Sequence, residues 1–260
     1  MPELIEVAQY AASARLVIGR QITSVEAPDT WYLKAGLTAA LAADVLLGQT
    51  VVGVRRHGKL LLLDFEAGPV LGLRFGMTGR LLVDGQSAIE RLEYGSSRQE
   101  PAWNRFTLIF TDGGDLVMQD PRRLGGVTLD PDEAALGTDV ATATLAGLAE
   151  VLARSSAPLK ARLMDQAKLA GLGNLLTDEV LWRACLDPAR MAGSLDVVEV
   201  AALHHHLAIT LAVLAQRGGS HLGDLQVARR LGGLCPRCGA ALARRAVGGR
   251  RTYSCPLEQR

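Results

Sequence analysis

Two short patterns in this chain could carry chemistry: Pro-Glu at positions 2 and 3, and three cysteines with a glutamate in CPRC (235–238) and CPLE (255–258). Removal of Met1 ahead of a small residue would leave Pro2 as a free secondary amine. Its pKa lies near neutrality, far below that of lysine, so much of it is an unprotonated nucleophile. Glu3 beside it could move protons. The same residues also describe an ordinary helix start, with proline at the first helical position and acids in the first turn. On MPELIEVAQY alone the helix start is the better reading.

The two C-x-x-x patterns are separated by sixteen residues that include the turn signal VGG at 247–249. That spacing matches two zinc-ribbon knuckles across a hairpin. Cys235, Cys238, Cys255 and Glu258 are the expected Zn²⁺ ligands, with the carboxylate standing where a fourth cysteine is usual; the alternative is a hairpin without metal. Cys185, between Ala184 and Leu186 in a helical stretch, reads as core. Four cysteines, three of them clustered, are too few for a secreted disulfide scaffold.

These residues need a framework. At 260 residues the chain can form one large or two modest domains, and with 4% aromatic residues its core must be mainly aliphatic. After a first helix over roughly Glu3 to Arg15 come short β-like runs: Ile22–Val25, Val51–Val54, Leu60–Phe65, Val70–Phe75, Arg80–Val83, Phe106–Phe110, Asp115–Met118 and Gly126–Leu129. A second helix fits Leu37–Leu47. From Thr144 the period is helical, over Leu145–Arg154, Pro158–Leu169, Asn174–Arg183 and Ser194–Arg217. PDEAALGTD, near 131–143, reads as a linker. No run of ~18 uncharged apolar residues predicts a membrane span, and no signal peptide is expected. The reading is of a cytoplasmic protein and a monomer.

Charge is uneven. Residues 1–150 hold 13 Lys+Arg against 19 Asp+Glu, a net of −6, whereas residues 217–251 hold eight arginines against Asp224 alone, a net of +7. An Arg-rich segment on a near-neutral chain is a footprint for a polyanion.

Taken in order, the segments resemble the formamidopyrimidine-DNA glycosylase/endonuclease VIII family of base-excision repair enzymes. MPELIEV resembles its opening, with Ile5 in place of proline. RRHGKLLLL (55–63) resembles the strand with its essential lysine, here Lys59. FGMTGRL (75–81) and DPRRLGG (120–126) resemble two of its loops. LMDQAKLAGLGNLLTDEVLWRA (163–184) resembles its helix–two-turn–helix, and GGRRTYSCP (248–256) half of its zinc finger. The resemblance implies a bilobed α+β chain. It would comprise an N-terminal antiparallel β-sandwich flanked by helices (1–135), a helical domain with the helix–two-turn–helix (136–225) and a zinc-finger-like hairpin (226–260).

It also implies roles, and it reverses the reading of the start. The Pro2 amine would attack C1′ of a damaged nucleoside in duplex DNA, or of an abasic site, and form a Schiff base. Glu3 would protonate the ribose ring oxygen, as suits a carboxylate raised by burial. Glu6 would be a supporting carboxylate, and Lys59 would bring positive charge to the flanking phosphates and help hold the amine unprotonated. Met77, Arg122 and Leu124 would fill the hole left by the extruded base. Asn174 with the helix-start amides of GLGN, Lys160 and Arg250 would hold phosphates.

Two departures qualify this. The segment 218–238 is shorter than its counterpart in the family, which includes a loop over the flipped oxidised purine, so specificity for oxidised guanine does not carry over. Leu124 stands where phenylalanine is common. Together with the changed finger, in which Glu258 stands for a cysteine, they motivate a second reading, a damaged-DNA or abasic-site binding protein with little turnover; a zinc-ribbon nucleic-acid module would explain residues 217–260 only. HHH at 204–206 reads as structural. His221 is ambiguous, exposed or close to the pocket or metal.

Overall fold

The computed structural model describes residues 2–90, 92, 93, 95, 96 and 98–260; Met1, whose removal the sequence reading invokes, lies outside the described residues. The chain forms two compact units, one of Pro2 with Glu6–Glu133, the other of Glu3–Ile5 with Ala134–Arg260.

The first unit is a sandwich of two four-stranded antiparallel sheets. Strands β1 (Ile22–Glu26), β2 (Val51–His57), β3 (Leu60–Phe65), β4 (Leu71–Arg74), β5 (Arg80–Val83), β6 (Asn104–Phe110), β7 (Asp115–Gln119) and β8 (Gly126–Leu129) assemble in the orders β1-β6-β7-β5 and β2-β3-β4-β8. Alternation in sequence becomes the inner face: Phe106, Leu108 and Phe110 of β6 and Leu116 and Met118 of β7 meet Leu61, Leu63, Leu71 and Leu73 in one core. β3 is apolar at every position from Leu60 to Leu63 and all four are buried, Leu61 and Leu63 in the sandwich core. Each such side chain contributes on the order of 1.5–3 kcal/mol.

Helices α1 (Leu4–Ala14) and α2 (Ala39–Leu46) add to this core. Val7, Tyr10, Ala11 and Ala14 form the buried stripe of α1, and the Tyr10 ring lies 4.6 Å from that of Phe75. Thr38 caps α2 by accepting the Leu41 amide.

The second unit contains β9 (Thr138–Asp139), α3 (Leu145–Leu152), α4 (Leu159–Leu163), β10 (Leu169–Ala170), α5 (Asn174–Arg183), α6 (Val197–Arg217), β11 (Ala243–Val247) and β12 (Arg250–Ser254). Two sequence expectations change here. The supposed linker holds β9, which pairs in parallel with β10. The helix expected over Pro158–Leu169 stops at Leu163: Asp165 accepts the Ala167 amide, while the Gln166 side chain accepts from Gly171 N–H and donates to Leu172 C=O. These local bonds compete with helix and shape the turn that leads into GLGN.

α6 is a helix long and apolar enough to cross a membrane by length and composition. Its stripe of Val200, Leu203, Leu207 and Leu214 is instead packed in the core of the second unit with Leu148, Leu152, Leu176 and Val180. An Asp196–Glu199 capping box starts it and Gly218, at φ +102°, ends it.

Candidate functional site

Pro2 is buried directly ahead of α1, and Glu6 is buried in that helix's first turn. One turn later the Tyr10 hydroxyl is pushed well above the usual tyrosine range by burial; Arg80 opposes this and the Glu6 charge adds to it. Lys59, half-buried, occupies with Gly58 the two-residue turn between β2 and β3, where Gly58 takes a left-handed φ of +55°. Arg56 Nη1 donates to the Gly58 carbonyl at 2.8 Å and closes that turn.

Glu3 has a specific seat in the second unit. Its Oε2 accepts the amides of Gly173 (2.8 Å) and Leu176 (3.2 Å), and its Oε1 accepts that of Leu175 (2.8 Å). The carboxylate therefore occupies the N-terminus of α5, where amides and helix dipole both complement an anion. Gly173 is glycine for space: a Cβ there would lie 2.3 Å from Glu3 Cδ. Three of the amides at the helix start that GLGN opens, those of Gly173, Leu175 and Leu176, are thus engaged by the chain's own carboxylate. Asn174, the first residue of α5, is half-buried, with its Oδ1 buried and without a hydrogen-bond partner.

Met77 lies on one loop of the first unit and Arg122 and Leu124 on another, and the two loops meet. Gly76 lies so close to Leu124 that a Cβ on it would sit 2.4 Å from the Leu124 carbonyl carbon. Leu124 is half exposed although large and apolar, and Arg122 is exposed. Arg123 between them has a strained φ of +57°, and its guanidinium grips Asp29 through two bonds of 2.6 Å. That grip holds the Asp29 carboxyl below the usual range, the Arg123 bonds outweighing its partial burial.

Cys235, Cys238, Cys255 and Glu258 offer ligand atoms all within 4.8 Å of one another. Cys238 and Cys255 Sγ are 3.4 Å apart. The surroundings suit a metal-bound thiolate and carboxylate. The Trp182 indole N–H donates to Cys235 Sγ at 3.4 Å, and Arg237 pairs with Glu258 at 2.7 Å while lying over the Trp182 ring. Despite desolvation, which acts the other way, donors led by Trp182 hold the Cys235 thiol below its ordinary value. Three sulfurs and an oxygen at this spacing could hold one metal ion. Arg250 is exposed at the first position of β12, straight after the Gly248–Gly249 turn (φ +57° and +71°).

The formamidopyrimidine-DNA glycosylase N-terminal domain model matches residues 1–127, and the formamidopyrimidine-DNA glycosylase H2TH domain model matches 135–224. The chain belongs to the formamidopyrimidine-DNA glycosylase family. Similar relatives include the formamidopyrimidine-DNA glycosylases of Paracoccus denitrificans, 34% identical over 100% of both chains, and of Chloroflexus aggregans, 33% identical over 100% of this chain and 98% of the relative. Among solved structures it is similar to Lactococcus lactis Fpg in complex with abasic-site DNA (TM-score 0.83, 26% identity, 99% of each chain). It is also similar to the same Lactococcus protein with DNA containing an oxidised pyrimidine (TM-score 0.82, 26% identity, 99% of each chain).

Two expectations from the sequence need correction in this family member. Lys160 was expected to hold a phosphate, but it is fully enclosed: Nζ donates to Asp178 Oδ1 (2.6 Å), Thr252 Oγ1 (2.8 Å) and Arg251 O (3.2 Å). Those three acceptors use its three donors, so it ties β12 to α5. Burial lowers its pKa while Asp178 opposes that shift. Cys185 is exposed, at φ +59° just past α5, rather than core. His221 is half-buried and, among the described residues, stands outside the cysteine cluster. HHH keeps its structural reading, with His204 Nε2 meeting the Ala143 carbonyl at 3.0 Å.

Residues that sequence reasoning missed are Asp178 and Glu179. Asp178 joins Lys160 to Arg229, and Glu179 accepts the Asp224 and Leu225 amides and so pins the shortened segment to α5. Two adjacent acids in a helix, LTDEVL, were the only signal.

Proposed function

We propose that this chain is a bifunctional DNA glycosylase and AP lyase acting on damaged bases and abasic sites in duplex DNA. The division is that expected from the sequence: residues 1–135 for catalysis, 136–225 for the helical DNA grip and 226–260 for the zinc-finger-like hairpin. The observation that carries the reading is Glu3, a carboxylate seated by three amides next to a proline whose nitrogen is the chain's first after Met1 is lost.

In this mechanism the Pro2 nitrogen bonds to C1′ as the C1′–O4′ bond breaks, and Glu3 takes the proton that the nitrogen sheds and gives it to the ring oxygen. The nitrogen lone pair then forms the iminium as the damaged base leaves with the electron pair of its glycosidic bond. The resulting iminium withdraws electrons from C1′, so the C2′ proton becomes acidic and its loss expels the 3′ phosphate. Lys59 and Arg250 neutralise flanking phosphates, Asn174 offers a further hydrogen bond to them, and Glu6 supports the charge at the amine. Met77, Arg122 and Leu124 occupy the space of the extruded base.

The test is turnover. With a duplex carrying a ring-opened purine or an abasic site in tenfold or greater excess over protein, the strand is expected to be cut repeatedly. One cut or fewer per protein molecule, with DNA tightly bound, would favour the damaged-DNA binding protein instead.

The metal in this reading is one Zn²⁺ held by Cys235, Cys238, Cys255 and Glu258, which fixes the loops around β11 and β12 and takes no part in the reaction. Metal analysis is expected to give one zinc per chain. Stripping it with a chelator should lower the melting temperature and weaken DNA binding, because Arg250 loses its mounting. A zinc-free preparation with unchanged melting and DNA affinity would remove zinc from the account.

A further inference from the structure

The two loops assigned to the space of the extruded base share one buried carboxylate. Asp120 is fully buried. Its Oδ1 accepts from the Thr78 hydroxyl (2.6 Å) and the Arg122 amide (3.1 Å), and its Oδ2 accepts from the Gly125 amide (2.8 Å). Thr78 follows Met77 and Gly125 follows Leu124, so the donors are Arg122 itself and the next-door neighbours of the other two wedge residues. Arg105 Nε donates to the Asp120 carbonyl at 2.8 Å, which fixes the start of the loop from β6. The backbones also touch at Gly76 and Leu124, where no side chain would fit.

We infer that Asp120, with Thr78, is a positioning residue that fastens Met77, Arg122 and Leu124 into a single preformed wedge. The inference rests on the glycosylase reading above and assigns these two residues to base extrusion rather than to bond cleavage. The physical reason is entropy. Two independent loops would each have to be ordered as they enter the DNA, whereas loops joined by a charge-assisted bond in a dry site are ordered once, on folding. Exposed wedge tips on a buried anchor are the arrangement this requires, and Asp120 is buried while Arg122 and Leu124 are exposed.

Thr78→Val keeps the shape and deletes the donor to Asp120; Thr78→Ser restores it; Asp120→Asn confronts at least one donor with an amide N–H₂. Single-turnover cleavage would be measured on a damaged-base duplex and on an abasic single strand, which needs no extrusion. Thr78→Val is expected to slow the duplex reaction about tenfold relative to the single strand, with Thr78→Ser within about twofold of wild type. The Thr78→Val/Asp120→Asn double variant should be no slower than Asp120→Asn alone. A 2-aminopurine beside the lesion reports wedge insertion without turnover, and its fluorescence rise should shrink in Thr78→Val. Equal slowing on both substrates, or a Thr78→Val protein that matches wild type in both assays, would overturn the inference. A wild type that cuts neither substrate would overturn the glycosylase reading instead, and the fluorescence on bound abasic duplex would still decide the wedge.

Discussion

A version of this chain extended ahead of Pro2, so that the proline nitrogen becomes an amide, is expected to give no borohydride-trapped adduct with a duplex carrying one abasic site. The chain beginning at Pro2 is expected to give a stable one. An amide lone pair is delocalised into its carbonyl and does not attack carbon, so the effect should be complete loss rather than slowing. DNA affinity should persist, since the groups proposed to hold phosphate are Lys59, Asn174 and Arg250. Mass spectrometry of the same preparations verifies whether Met1 is present. Pro2→Gly with Met1 removed is a milder probe. It keeps a nucleophilic amine, but its Schiff base is a neutral imine that must be protonated, whereas proline gives a permanent cation. It should therefore react more slowly at both base release and elimination. An adduct of equal yield in the extended chain would point to another amine, Lys59 first. Absence of any adduct in the Pro2-initiated chain, with DNA bound, would move the assignment to a binding protein.

What could be read from the sequence divides along chain distance. The strands of the sandwich were legible because each is bounded by its own turn residues and alternates or is continuously apolar within itself; Leu60–Phe65 and Arg80–Val83 match residue for residue. Cys235, Cys238, Cys255 and Glu258 were legible as a cluster from spacing across a hairpin whose two-glycine turn is local. Lys160 was not, since its acceptors Asp178 and Thr252 lie 18 and 92 residues away, and nothing near it in sequence says that its ammonium is enclosed. Cys185 was misread because α5 ends in a left-handed residue that is not glycine, so the usual stop signal is missing. GLGN was read as a helix start whose amides would hold a phosphate, but the group that occupies it, Glu3, comes from 170 residues upstream. Asp120 had a local signal, the Asp-Pro pair of DPRR, that marks a turn yet does not reveal its bond to Thr78, 42 residues earlier.

That distant partnership makes Gly173→Ala the sharpest test of Glu3. The added methyl would stand 2.3 Å from Glu3 Cδ and 2.4 Å from Oε1, too close to be absorbed, so the carboxylate must leave the helix start. The backbone itself has no objection: Gly173 has φ −118°, which alanine adopts readily. The substitution therefore moves a carboxylate and removes no chemical group. If Glu3 works from this seat, Gly173→Ala should lower single-turnover base release by about 10²–10⁴-fold, the usual contribution of a placed acid–base group. Glu3→Gln should fall in the same range. Because both act on one interaction, the double variant should be little worse than either alone. Both variants also weaken amide bonds to a charged acceptor, so each should lose roughly 1.5–3 kcal/mol of stability, measurable by denaturant unfolding. Borohydride trapping at a preformed abasic site separates the roles, since no base has to leave there and the amine alone can bond to the open sugar aldehyde. Trapping should survive in both variants while base release collapses. A Gly173→Ala protein with wild-type base release would mean that the carboxylate works from elsewhere and that its seat on α5 serves only to cap the helix.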